Sequence, residues 1–239
     1  MVSNQLVELD SRTVERQLSS NPLLILPVGA LEAHGPHLPL GADQIQAEAT
    51  ARGLAERTGG LVAPTIAYGS CPGARRFPGT VSISMSALGE FVSQVLGEFI
   101  RSGFRRILVL SGHAERGHMA SLREAAERTM LQHPQIRIVV LSDYDFVYEL
   151  RGKLSPETDG HAGLLETSRM LAIAPHFVRS DRPSHTNLGS VFLPGSPSSE
   201  QWPESVQGDT RPAAAELGQK LQDHVLARLE ATVRELLPP

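Results

Sequence analysis

Short apolar runs that end in polar, glycine-containing turns restrict the fold of this chain of 239 residues more than any other feature. These runs are residues 23 to 28, 61 to 67, 106 to 110 and 135 to 141. Stretches with the apolar spacing of a helix lie before, between and after them, at residues 5 to 19, 43 to 58, 86 to 102, 119 to 131, 161 to 171 and 213 to 237. Because helical crossovers join parallel strands, this alternation predicts an α/β fold with a mainly parallel sheet and helices on both faces.

A group of metal-type ligands follows the first apolar run. Glu32, His34, His37 and Asp43 fall within twelve residues, in a segment rich in glycine and proline. Extended residues at i and i+2 project to one side, so Glu32 and His34 can face a common point, and the Gly/Pro turn can bring Asp43 back to it. Asp43 opens a predicted helix, whose dipole favours the ionised carboxylate. Carboxylate and imidazole together suit Zn²⁺, Mn²⁺ or Fe²⁺.

A second group follows the third apolar run. His113 and Glu115 repeat the i, i+2 spacing in the opposite order, directly after residues 106 to 110. In open α/β sheets, sites form at the carboxyl ends of strands, where these side chains are expected. His118 falls in the following helix, where a solvent-facing or capping role is expected.

Two further candidates, His161 and Glu166, lie at the start of the helical stretch that ends before Pro175. A histidine at such a place is more often an ordinary surface residue. Residues 178 to 212, rich in Ser, Pro and Gly, are interpreted as an extended covering segment.

Composition excludes several classes of function. The net charge of −4 argues against a nucleic-acid partner, which needs a basic face. Cys71 is the single cysteine, so no intrachain disulfide can form, and a reducing cytoplasm is the expected location. The N-terminal residues lack the pattern of a secretory signal, and no apolar run is long enough to span a membrane. We therefore expect a soluble protein with a single domain over residues 1 to 239.

Taken together, these segments resemble the creatininase family of amidohydrolases. The matching motifs are LPVGALEAHGPHLPLGAD at 26 to 43, RFPGTVS at 76 to 82, GFRRILVLSGHAER at 103 to 116, YDFV at 144 to 147, HAGLLETS at 161 to 168 and GD at 208 to 209. The resemblance implies a three-layer α/β/α sandwich, hydrolysis of a small amide C–N bond, and a homo-hexamer. It also implies two divalent metal ions in each subunit, zinc or manganese, with iron as a further option.

The resemblance also implies roles for individual residues. Glu32 and His113 would bind one metal ion, His34 and Glu115 the other, and Asp43 would bridge both. His161 matches the family's active-site histidine beside the substrate. Glu166 is the alternative fifth ligand to Glu115, and otherwise a carboxylate that supports the ligands.

The chain also departs from the family pattern. Creatininases proper carry tryptophans in the YDFV region and before the HAG histidine, where this chain has Tyr144 and residues 156 to 159. Trp202 is too far along the chain to match either of them. This argues against creatinine itself as the substrate.

Three functions remain open at this point. The first is a hydrolase of a small, non-peptide and possibly cyclic amide. The second is a formamide hydrolase or a peptide-trimming enzyme of a biosynthetic pathway. The third is a metal-stabilised oligomeric binding protein without catalytic activity.

Overall fold

The computed structural model describes residues 3–186 and 202–239. Its main sheet has four parallel strands in the order β2-β1-β3-β4. The strands are β1 (Leu23–Val28), β2 (Leu61–Val62), β3 (Arg106–Ser111) and β4 (Arg137–Ser142). β1 and β3 lie side by side at the centre of the sheet, with Val28 paired to Ser111. The predicted parallel sheet is therefore confirmed.

The helices cover both faces of this sheet. They are α1 (Ser11–Leu18), α2 (Ala42–Thr58), α3 (Met85–Arg101), α4 (Arg116–Gln132), α5 (Tyr144–Val147), α6 (Leu164–Ile173) and α7 (Ala215–Leu236). Successive residues of a strand point to opposite faces, and the core divides accordingly. Leu24 and Leu26 pack with α3 and α4, whereas Leu23 and Ile25 pack with α2, α5, α6 and α7. This arrangement confirms the three-layer α/β/α sandwich.

Two elements differ from the sequence prediction. The second apolar run forms a strand over Leu61–Val62 only, followed by a single bridge between Val28 and Ile66. Pro64 has no N–H group to continue the ladder, which explains the short strand. Helix α4 begins at Arg116 rather than Met119, because Glu115 caps its first turn.

The C-terminal part of the chain is partly described. Residues Ser184–His185 (β5) and Gly208–Asp209 (β6) form a two-stranded antiparallel ribbon. Residues 187 to 201 of the predicted covering segment lie outside the described residues. Within the described ranges, no helix is both long and apolar enough to cross a membrane.

Candidate metal centre

The ends of the two central strands bring both predicted ligand groups to one edge of the sheet. The backbone N–H of Gly112 donates to the Val28 carbonyl, 2.9 Å away, so the turn after β3 continues alongside the end of β1. Asp43 lies in the first turn of α2, which follows the loop that leaves β1. Groups seventy residues apart in sequence therefore converge, as the strand pattern predicts.

Asp43 occupies the middle of the cluster. Its Oδ1 lies 3.1 Å from Nε2 of His34, and its Oδ2 lies 3.0 Å from Nδ1 of His113. The carboxylate is 2% exposed, and each imidazole lies beside a different one of its two oxygens. One carboxylate thus offers a separate oxygen atom to each of two ligand groups, as a bridging ligand does.

Two more carboxylates complete these groups. Glu32 Oε2 lies 3.1 Å from His113 Nδ1, and Glu166 Oε1 lies 3.5 Å from His34 Nε2. Within the described ranges, three sets of potential ligand atoms lie within 4.8 Å of one another: Glu32–Asp43–His113, His34–Asp43–Glu166 and Glu32–His34–His161. We call the five residues of the first two sets the ligand cluster.

Hydrogen bonds to backbone carbonyl groups orient the imidazoles. His34 Nδ1 donates to the Glu32 carbonyl at 2.9 Å, and His113 Nε2 donates to the Ser70 carbonyl at 3.2 Å. These bonds leave Nε2 of His34 and Nδ1 of His113 directed at the carboxylates. Metal-binding histidines in proteins are typically held in this way.

The electrostatics of the cluster favour ionised carboxylates. Burial would raise the pKa of each acid, but the nearby histidines outweigh it, so the pKa of Glu166 falls to about 2 and that of Asp43 lies far below its usual range. Burial would likewise lower the pKa values of His34 and His113, but the carboxylates raise both well above the ordinary histidine value. The cluster therefore attracts positive charge.

The donor set fits a divalent metal ion. Glu32 Oε2 and Asp43 Oδ2 are buried and receive no hydrogen bond from the described residues. His113 Nε2 donates to Ser70, so Nδ1 faces these two oxygens, and once Nδ1 has lost its proton three lone pairs converge on one point. Such a point needs a proton or a metal ion. Mixed nitrogen and oxygen ligands suit Zn²⁺ and Mn²⁺.

Glu115 is not brought into the ligand cluster. Its carboxylate Oε2 accepts a hydrogen bond of 2.8 Å from the backbone N–H of His118 and so caps helix α4. Glu115 does line the cavity in front of the cluster. Of the two alternatives for a fifth ligand, the structure brings Glu166 together with His34 and Asp43.

His118 is buried, so the expectation of a solvent-facing ring is wrong. The ring is 0% exposed, with Nε2 3.1 Å from Ser111 Oγ and Nδ1 accepting from the Ser70 N–H at 3.3 Å. The early start of α4 turns this residue towards the sheet. Because Ser70 also accepts from His113, His118 helps to hold the segment that orients that ligand.

His161 lines the cavity and lies beside the cluster. Its Nε2 donates to the Ala33 carbonyl at 2.8 Å, and its Nδ1 lies 4.0 Å from Glu32 Oε2. The next residue, Ala162, has a φ of 51°, in the left-handed region that L-residues rarely adopt. Its N–H donates to Glu166 Oε2 at 2.7 Å, so one strained turn places both the histidine and the carboxylate.

The cavity has a volume of about 510 Å³ and contains residues that the sequence analysis missed. Trp202 lies 4.9 Å from His161 between ring centroids, although its position in the sequence matches no tryptophan of the family pattern. Its backbone carbonyl accepts a 2.9 Å hydrogen bond from the side chain of Arg76. The only sequence signal was an isolated tryptophan in a segment poor in aromatic residues.

A hydrogen-bonded pair behind the cluster was also missed. Gln46 donates to Glu166 Oε1 at 3.2 Å, and Gln46 Oε1 accepts from the Tyr144 hydroxyl at 2.9 Å. Both residues are buried. They fix the orientation of the Glu166 carboxylate from helices α2 and α5.

Known proteins are similar to this chain in sequence and in fold. The creatinine amidohydrolase family model named Creatininase matches residues 7–233. Creatinine amidohydrolase of Pseudomonas putida is 31% identical over 246 residues, covering 94% of this chain and 93% of that protein. The mycofactocin precursor peptide peptidase of Mycolicibacterium smegmatis is 35% identical over 176 residues, covering 71% of this chain and 65% of that protein.

A solved structure agrees over the whole length. A mutant creatininase of the Zn-Zn type is 27% identical and superposes with a TM-score of 0.90, covering 100% of both chains. The resemblance recognised in the sequence motifs is thereby confirmed, and this chain belongs to the creatininase family.

Proposed function

We propose that this protein is a hydrolase of small amides that uses two divalent metal ions, zinc or manganese, held by the ligand cluster. The observation that carries the proposal is the position of Asp43, whose two oxygens face His34 and His113 respectively. Glu32 with His113 and Glu166 with His34 would hold one ion each, and Asp43 would bridge them. When bound, such a pair of ions supplies an activated water and polarises the carbonyl group of the substrate.

His161 would serve as the proton donor to the leaving nitrogen. Its Nε2–H is engaged by the Ala33 carbonyl, so Nδ1 is the atom that faces the cluster and can carry the transferred proton. A positioned acid of this kind contributes about 10²- to 10⁴-fold in rate. Trp202 contacts the same ring and limits how the imidazole can turn.

The size of the substrate is the second part of the proposal. A cavity of about 510 Å³ is large for a small lactam and can hold part of a peptide. The likeness to a peptide peptidase favours including peptide bonds among the candidates, so the restriction to non-peptide bonds made from the sequence is not kept. The homo-hexamer, the cytoplasmic location and the single domain stay predictions.

The test combines metal content with turnover. The purified protein is assayed with Zn²⁺ or Mn²⁺ against lactams, formamides and short peptides, beside Asp43→Ala and His161→Ala. We expect Asp43→Ala to lose both ions, and His161→Ala to keep both while kcat falls at least about 100-fold. Two ions still bound to Asp43→Ala would remove that residue from the bridge. Full metal occupancy without turnover of any amide would favour the binding protein.

A further inference from the structure

One arginine of the cavity is not used by the proposed reaction. Arg151 lines the same cavity as Glu32, Asp43 and His161. The side chain is partly buried, and its Nε atom is buried without a hydrogen-bond partner. In the part of the chain that the structure describes, no carboxylate forms an ion pair with it.

The neighbouring acid is already engaged. Asp159 accepts hydrogen bonds from the N–H groups of Leu164 and Leu165, at 2.7 and 3.1 Å, and so caps helix α6. The Arg151 charge acts on Asp159 at longer range only, and burial still raises the pKa of that acid to about 6. Arg151 therefore keeps a guanidinium charge that Asp159 does not neutralise.

The guanidinium group is held in a defined orientation. Its Cζ lies 3.5 Å from the centre of the Tyr148 ring, and the backbone N–H of Arg151 donates to the Tyr148 carbonyl at 3.2 Å, which fixes the two residues relative to each other. Stacking on a ring leaves the edge of the guanidinium group available for two parallel hydrogen bonds. A carboxylate is the group that matches this edge.

The overall charge of the cavity also favours binding of a carboxylate. The positive charges of two divalent ions would balance the negative charges of Glu115 and the three carboxylates of the ligand cluster. Arg151 then adds a positive charge to the same cavity. A cavity of this charge attracts anions.

We propose that Arg151 is a specificity-determining residue that binds a carboxylate group of the substrate, so that the substrate is a carboxylate-bearing amide such as an N-acyl amino acid or the C-terminal end of a peptide. This inference rests on the proposed amide hydrolysis and adds the substrate class to it.

Binding to the metal-loaded protein tests this inference without turnover. Dissociation constants are measured by calorimetry for N-acetylphenylalanine and its primary amide, and for the dipeptide Ala-Phe and its amide. These pairs differ only in the carboxylate, and the two arms distinguish an acyl amino acid from a peptide end. We expect the acid of at least one pair to bind about tenfold more tightly than the amide, as for a hydrogen bond to a charged group.

Variants distinguish the arginine from the metal ions as the binding group. Arg151→Gln should reduce the preference for the acid to about twofold or less, and Arg151→Lys should keep part of it. Lys153→Gln removes one positive charge from the exposed part of the same loop and should leave the preference unchanged. Metal content is checked in each variant. If Arg151→Gln fails to fold, the wild type and Arg151→Lys carry the test.

Equal binding of acid and amide by the wild type would overturn the inference. So would a preference that survives in Arg151→Gln, because the carboxylate would then be bound by the metal ions or by Arg116. Turnover of amides without this preference would reject the role of Arg151 alone. A carboxylate preference without any turnover would reject the hydrolase and leave the recognition by Arg151 intact.

Discussion

Asp43 and Glu166 differ in how far the sequence reveals them. Asp43 stands at the start of a predicted helix directly after a loop with two other ligands, so its place could be predicted. Glu166 reaches the cluster because helix α6 packs beside α2 and because Gln46 donates to it. No local pattern encodes that packing. Glu115 has the i, i+2 spacing of a ligand pair with His113, and in this structure its carboxylate caps helix α4.

The two glutamates give a direct prediction at the residue scale. Glu166→Gln removes one charged ligand of the second ion, so we expect the metal content to fall from two ions per chain towards one. Glu115→Gln should keep both ions, because this carboxylate caps helix α4. Elemental analysis of the two purified variants makes the comparison. Loss of an ion from Glu115→Gln but not from Glu166→Gln would reverse the assignment.

The histidines of the cluster predict how metal affinity depends on pH. Carboxylates raise the pKa values of His34 and His113 well above 6.5, so both rings are protonated at neutral pH in the metal-free protein. A metal ion must displace these protons, and its affinity should therefore rise with pH until the raised pKa values are passed. Calorimetry in buffers of different ionisation enthalpy should detect close to two protons released at pH 7.

The metal-free protein should show the opposite trend in stability. A histidine whose pKa is raised in the folded state stabilises that state. Its contribution to the free energy of unfolding is fully present below about pH 6.5 and is lost as the pH rises through the pKa of the folded state. In urea unfolding of the metal-free protein, the contribution of His34 and His113 to the free energy of unfolding should therefore decrease above pH 6.5. A metal affinity that does not change between pH 6 and 8 would contradict both statements.

At the scale of elements, the site depends on the close approach of two backbone segments. The turn after β3 packs against the first turn of α2, and a Cβ atom on Gly112 would overlap the backbone oxygen of Asp43. This contact fixes His113 relative to Asp43. It follows from the pairing of β1 with β3, which places the two turns at the same edge of the sheet.

Gly112→Ala should therefore disturb the site and the fold together. We expect about 1–3 kcal/mol of lost stability, as for overpacking in a core, and a reduced metal content. Gly97→Ala is the matched control, since a Cβ there would meet nothing within 4 Å and the residue lies inside helix α3. That variant should gain about 0.5–1 kcal/mol. Urea unfolding of both variants checks this, and a neutral Gly112→Ala would contradict the close approach.

At the scale of the whole molecule, a buried ion pair joins the helices behind the site. Arg169 on α6 donates to Asp143 Oδ2 at 2.7 Å, to Thr50 Oγ1 on α2 and to Gln222 Oε1 on α7, and both charged groups are 0% exposed. The sequence shows these residues as separate polar positions inside amphipathic stretches. Their contact depends on how the layers stack, so it could not be predicted.

Asp143→Ala should lower the free energy of unfolding by about 3–5 kcal/mol, because it leaves the Arg169 charge buried and without its carboxylate partner. Glu98→Gln breaks an exposed ion pair with Arg101 and should leave the stability unchanged within error. Equilibrium unfolding in urea compares the two. Equal effects would mean that the buried pair does not hold the helices together.

The architecture was more predictable than the details of the cavity. Apolar runs followed by polar turns indicated the parallel sheet and its functional edge, because parallel strands end at the same side. Trp202 and Arg151 were missed as cavity residues, since both come from irregular segments whose path depends on tertiary packing. Neither residue belongs to one of the recognised motifs.

Anomalous diffraction at the zinc or manganese edge, from crystals of the metal-loaded protein, tests the central claim most directly. We predict two peaks, one on each side of the Asp43 carboxylate, one beside Glu32 and His113 and the other beside His34 and Glu166. A single peak, no peak, or a peak coordinated by Glu115 in place of Glu166 would contradict this account.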